Sequence, residues 1–278
     1  PEQQTGGTRG FWIGGEGFTS VISFANIDTT GNAGDFGDLA NGNIANGGTA
    51  ATRVRGVYAG GEPSTSTCSF ITLASQGNSV HNGEDLSSGR RFVTAVSDKD
   101  RGIFMGGSEP SRVNKIEYMS ISASSSAIDF GDLQESKDMG GGGGWSNGVI
   151  GGGFGGYKSD GNNSTIIEFV KISTLGNGAT FGDLFESKHN IASASNAVRA
   201  IGAGGSPSTV DTIQFITMST LGNSIDFGNL TDGTTSMNGC ASPTRIVWGG
   251  GNISPSKTNK MEYVQIATTG DAIDFGDL

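Results

Sequence analysis

The chain has 278 residues, 49 of them Gly, with 34% hydrophobic residues and a formal net charge of −10 at pH 7. That acidic balance excludes general charge attraction to nucleic acid or an anionic membrane, and no apolar run approaches the length of a spanning helix. Glycine at this level would hint at low complexity, but the chain is periodic, and the period speaks for an ordered array.

The first copy contains "RGFWIGG" (9–15), "VISFANI" (21–27) and "GDFGDL" (34–39). The second repeats them as "RGVYAGG" (55–61), "TCSFITL" (67–73) and "SVHNGEDL" (79–86), and the third as "RGIFMGG", "KIEYMSI" and "AIDFGDL" (101–133). The fourth, fifth and sixth follow with "NGVIGGG", "IIEFVKI" and "ATFGDL", then "RAIGAGG", "TIQFITM" and "SIDFGNL", then "RIVWGGG", "KMEYVQI" and "DAIDFGDL". Gly pairs at 14–15, 60–61, 106–107, 152–153, 204–205 and 250–251 mark the beat, with the interval after the fourth pair longer than the rest.

Each copy reads as strands. The run ending in the Gly pair is continuously apolar, as in a short strand buried on both faces. The "KIEYMSI" type nearly alternates and predicts a strand with one polar face. Gly31-Asn32, Gly77-Asn78, Gly176-Asn177, Gly222-Asn223 and Gly270-Asp271 then suit a two-residue hairpin turn, with Ser125-Ser126 marking a different turn in the third copy. The DFGDL phrase is the next strand, its Phe and Leu buried. A further strand, poor in bulk ("NIANGGTAATRV", "HNIASASNAV", "MNGCASPT"), suits the crowded axis of a radial array. The fold class expected is all-β: a six-bladed β-propeller with four antiparallel strands per blade, filling residues 1–278 as one domain. Its blades divide at 1–39, 40–86, 87–133, 134–184, 185–230 and 231–278. "EQQTGGT" would supply an inner strand for blade one, and closure would rest on packing between blades one and six. Pro1 in place of Met is expected of a processed or partial chain. Blade two, with Asn82 near the Phe position, should be the least well packed.

The order of small-residue strand, strand ending Gly-Gly, strand with Tyr or Phe, and aromatic-x-x-Leu resembles kelch-type propellers. "MEYVQIATTGDAIDFGDL" (261–278) is similar to kelch-like repeats of virion and tail-associated structural proteins of cyanophages and marine phages. The resemblance covers all six copies, with Phe where cellular kelch repeats carry Trp. It implies a non-enzymatic structural or interaction module of a virion or tail fibre, located on the particle or outside the cell. Its partners would be other tail subunits or a host receptor, with nucleic acid and membrane insertion not expected.

The acidic residues of DFGDL, among them Asp38, Asp132, Asp183 and Asp277, recur in step with Arg9, Arg55, Arg101, Arg199 and Arg245. A guanidinium fork suits a carboxylate, so these are expected to form a structural peg between strands rather than a metal site. Only His81 and His189 exist, too few for a copper-radical oxidase and without motifs for a nucleophile–His–acid set. His189, near the start of an inner strand, could face the axis. Cys68 and Cys240 fall on blades that are not neighbours and predict two buried thiols. No catalytic residue, metal or cofactor is expected.

Loops between second and third strands should emerge on the face that carries the blade-to-blade connections, and they differ most among the copies. The fourth, "FGGYKSDGNNST" (154–165), is longest and gathers Phe154, Tyr157, Lys158, Asp160, Asn162 and Asn163 as a candidate binding loop. A carbohydrate-binding, lectin-like propeller is the alternative, although only this loop offers a Tyr.

Overall fold

The computed structural model describes residues 7–15, 19–40, 42, 44–140 and 143–278. Among the described residues there is no helix, and the sheets form a six-bladed β-propeller. Blade five shows the full set, with strands Ala192–Ser195, Arg199–Ala203, Val210–Thr217 and Ile225–Thr234 in sequence order from the axis outwards, and blade two has Gly48–Ala51, Arg55–Ala59, Thr65–Thr72 and Asp85–Arg90. Blade one shows Arg9–Ile13, Val21–Asn26 and Gly34–Asp38. Residues 1–6, where most of its expected inner strand falls, lie outside the described residues.

The second strands are buried on both faces, as their unbroken apolar runs predict. The third strands differ from expectation. Glu117, Glu168, Gln214 and Glu262, on the face that alternation marks as polar, are all buried. A blade packs against a neighbour on each side, so the middle of this strand is covered on both faces and only its ends reach water. Inner strands such as Ala192–Ser195 are small-residue, and their hydroxyls knit the axis. Ser97, Ser146 and Ser195 Oγ donate to the carbonyls of Ala51, Ser97 and Ser146, each at 2.8 Å.

The expected Arg–Asp peg does not form. Antiparallel register places Arg101 opposite Ser120 and Asp132 opposite Lys115, at opposite ends of the third strand, roughly 15 Å apart. Each Arg instead lies over the aromatic ring of its own third strand. Arg55 sits 4.7 Å from the Phe70 ring centre, Arg101 4.9 Å from Tyr118, and Arg199 and Arg245 4.8 Å from Phe215 and Tyr263. From there it donates to carbonyls of the next blade: Arg9 to Leu73 and Ala74, Arg55 to Ile121 and Ser122, Arg101 to Ile172, and Arg199 to Ile266 and Ala267. Arg245 reaches Ile27 and Asp28 of blade one and so closes the ring. Asp38 and Asp183 accept from Ser20 and Thr165 of their own blades. The peg joins blades, and its acceptor is backbone.

The Gly-Asn pair is likewise not a two-residue hairpin, since strands Val21–Asn26 and Gly34–Asp38 are joined by a longer turn. Its role is docking onto the preceding blade. Gly77 and Ser79 N–H donate to Phe36 and Asp38 carbonyls at 2.8 Å, while Asn78 Oδ1 accepts from Asp38 N–H at 3.0 Å. The same three bonds recur from Gly176, Gly178 and Asn177 to Phe130 and Asp132, and from Gly222, Ser224 and Asn223 to Phe181 and Asp183. Gly31, Ala33 and Asn32 make them to Phe275 and Asp277, blade one to blade six. In blade three Ser126 Oγ takes the Asn part, accepting from Asp85 N–H. The Gly of DFGDL exists for this contact. Gly276 has φ +144°, and a Cβ there would lie 2.6 Å from the Gly31 carbonyl.

The buried glutamates add another inter-blade contact. Glu117, Glu168 and Glu262 accept from the N–H groups of Ser87, Gln134 and Thr231, each directly after the DFGDL Leu of the preceding blade. Arg90, fully buried, pairs with Glu117. Lys137, equally buried, lies 3.1 Å from Glu168 and 3.8 Å from Glu135.

Blade two keeps Leu86 in its core but lacks the Phe that packs edge-to-face elsewhere, as in Tyr118–Phe130. Its outer segment meets Phe70 only through an isolated bridge at Val80 before the strand proper begins at Asp85. In blade four the strand-ending pair is Gly155-Gly156, at φ +58° and +126°, rather than Gly152-Gly153. With this register the intervals on either side of blade four become equal, and Ile150 occupies the Arg position.

Two outcomes follow. Gly276→Ala is expected to destabilise the fold by about 2–4 kcal/mol, from backbone strain plus overlap with Gly31, measured by denaturant unfolding. Glu168→Ala leaves the Lys137 ammonium buried without its partner and is expected to cost about 3–5 kcal/mol in the same measurement.

Candidate functional site

The connections between blades and the second-to-third-strand loops do share one face, where they pair with each other. Ala45 bridges Glu62, Arg91 bridges Ser108, His189 bridges Ser206 and Thr235 bridges Asn252. In blade four the pairing extends to Lys137–Asp138 against Tyr157–Lys158. In blades two to six this loop is therefore braced by the segment entering its blade.

Phe154 is not part of the loop. With Gly155-Gly156 ending the strand, Phe154 is its last residue and is buried against Trp145, Ile167 and Phe181. It packs the core and cannot reach a partner. Lys158 and Asp160 lie in the loop as an ion pair at 3.2 Å, with Glu135 3.7 Å from the same ammonium. The Asp160 carboxyl is held below the usual range first by the Asn162 backbone N–H and then by Lys158.

Tyr157, Asn162 and Asn163 line a depression with Ser187, His189, Ser206 and Pro207 from the adjoining segments. His189 does not face the axis. Its bridge to Ser206 holds it on the loop face, where its ring centre lies 5.0 Å from that of Tyr157, tilted by 31°. The Arg112 guanidinium covers Tyr157 at 4.1 Å. Tyr157 therefore packs against both groups. Arg112 is in turn held by Asp138 at 2.6 Å. Burial raises the Asp138 carboxyl above its ordinary value, and Arg112 opposes the rise.

His189 Nδ1 lies 2.8 Å from Asn163 Oδ1. An amide oxygen only accepts, so Nδ1 carries the proton and Nε2 of the neutral ring is an acceptor. Burial, and secondarily the charge of Arg112, lower the His189 pKa. No described residue bonds Nε2, the Asn163 amide nitrogen or the Tyr157 hydroxyl. Of the loop residues expected from the sequence, Tyr157, Asn162 and Asn163 line this depression, while His189 and Arg112 were not among those expected there. The one signal for His189 was position, since it stands where Asp138 stands one copy earlier, after "ESK" in both.

A second concave feature is the axial cavity, about 600 Å³. Ala, Gly, Ser and Thr make up much of its lining, joined by Arg9, Arg53, Asn147 and Asn196, and the Ser97, Ser146 and Ser195 hydroxyls are spent on the inner-strand ring. Cys240 lines it, with Sγ so close to Gly10 that a Cβ there would lie 2.2 Å away. Burial raises both thiols, that of Cys68 to about 12, so they stay protonated at neutral pH. Trp145 is fully buried. No protein-family model matches the chain, and no curated protein matches it either.

The lowered His189 pKa sets a pH dependence. Above the ordinary value of about 6.5 both folded and unfolded chains carry the neutral ring. As the pH falls through that value the unfolded chain takes up the proton first, so the His189 contribution to stability declines towards the lower folded pKa. Thermal melts are expected to show a larger loss between pH 7 and pH 5 for the natural chain than for His189→Asn.

Proposed function

We propose that the protein is a non-enzymatic interaction module of a bacteriophage particle, using its loop face for attachment to a neighbouring subunit or to the host surface. The propeller is compatible with an interaction module, and the repeat phrase "MEYVQIATTGDAIDFGDL" supports the phage setting through its resemblance to virion propellers. The observation that carries the reading is the braced depression at Tyr157, Asn163 and His189, where polar atoms are left unspent on a rigid scaffold.

The chemistry of the remaining candidates supports binding over catalysis. Both thiols are held protonated, and among the described residues no Ser, Thr or Cys is hydrogen-bonded to Nε2 of His81 or His189, whose Nδ1 atoms meet the Cys68 carbonyl and Asn163 Oδ1. Nucleophilic catalysis needs a base poised beside a nucleophile.

The labelled chain is expected to bind saturably to intact candidate host bacteria or to purified phage particles that lack it. Tyr157→Ala with Asn163→Ala should lower that binding at least about tenfold, as loss of a central contact does. Binding unchanged in the double variant would move the site elsewhere. Absence of binding to cells and particles alike, by a folded chain, would overturn the reading.

A further inference from the structure

We propose that the depression beside His189 binds one residue of an uncharged carbohydrate, through the Tyr157 hydroxyl, the Asn163 amide nitrogen and His189 Nε2. The inference rests on the reading of the loop face as an attachment surface and names the ligand class.

Charge is the first discriminator. The cations around the depression are already matched: Arg112 by Asp138 at 2.6 Å, and Lys158 by Asp160 at 3.2 Å and Glu135 at 3.7 Å. An anion would find no unspent positive group, and a cation no unspent carboxylate. A buried charge without a partner is costly, so a neutral ligand is favoured.

Hydrogen-bond direction is the second. The His189–Asn163 bond orients both groups, leaving Nε2 as an acceptor and the Asn163 NH₂ as a donor, with the Tyr157 hydroxyl able to do either. An anion asks for donors alone and an ammonium for acceptors alone. A sugar hydroxyl both donates and accepts, and neighbouring hydroxyls present the two functions side by side. Mixed donor and acceptor sites of this kind match them.

Preorganisation is the third. Tyr157 packs against both Arg112 and His189, and its backbone bridges Asn163. The Asn162 N–H is held by Asp160 Oδ1 at 2.9 Å, and the Ser206 and Thr235 hydroxyls meet at 2.8 Å. Little ordering remains to be done on binding. The exposed Pro207 supplies the apolar rim.

The test is a glycan array carrying neutral and acidic oligosaccharides, followed by calorimetric titration of the neutral hits into the full chain. Inorganic sulfate and phosphate serve as anion controls. Neutral glycans are expected to bind. Tyr157→Phe, which keeps the ring contacts, and Asn163→Asp, which keeps the oxygen facing His189, should each weaken binding about tenfold, the loss of one hydrogen bond in a preformed site. Glycan binding indifferent to both variants, preference for the anions, or no glycan binding at all would each overturn the inference. Cell or particle attachment that is lost in Tyr157→Ala with Asn163→Ala, while no glycan binds, would overturn the carbohydrate but leave the attachment function standing.

Discussion

The ring depends on one backbone contact made repeatedly: the turn before each outermost strand lies against the outermost strand of the preceding blade. Two N–H groups donate to the carbonyls on either side of the DFGDL Gly, and an Asn oxygen accepts the N–H that follows it. Backbones this close tolerate no Cβ between them. A propeller leaves the outer strand of every blade as an edge with unpaired backbone groups. Here much of that edge is satisfied by the neighbour, and the same bonds that protect it set the angle between blades. Because blade one makes the contact to blade six, closure uses no special device.

Around that contact the blades are pinned at two other depths. On one side, Arg lies over the aromatic of its own blade and reaches carbonyls of the next. On the other, buried Glu117, Glu168 and Glu262 hold the N–H after each DFGDL Leu, with Arg90 and Lys137 buried beside the first two. Blade four has no Arg, since Ile150 stands there. Blade five has Gln214 in place of Glu, bonded to Ser224. Blades one and two carry Ser23 and Ser69 at the Glu position, so neither peg is made in every blade. The blade-four loop, braced by Lys137–Asp138, can then carry polar groups that the fold does not use.

Much of this was legible in the chain as written. The beat of DFGDL and the Gly pairs specifies six units. The continuous and alternating apolar runs specify strands, and the small-residue segments specify the axis. The errors share a cause. Asp and Arg recurring in step suggested a pair, yet periodicity reports that two residues recur and not how far apart an antiparallel register holds them. Gly-Asn suggested a local turn because its long-range partner belongs to another copy. In "NGVIGGGFGG" several Gly pairs compete for the end of the strand, and only the left-handed conformations of Gly155 and Gly156 settle the choice. Phe154 was misplaced with them.

Local pattern was enough for strand, turn and repeat, because side-chain alternation and glycine conformation act over a few residues. Which faces are buried, what the arginines hold, and where His189 points depended on neighbouring blades meeting across the ring. Glu117 looks like a surface residue until a second blade covers it. Tyr157, Arg112 and His189 meet only when the third-blade loop, the fourth-blade loop and the segment entering blade five converge. Contacts between residues distant in the chain are set by how sheets pack, and packing is a property of the assembled ring.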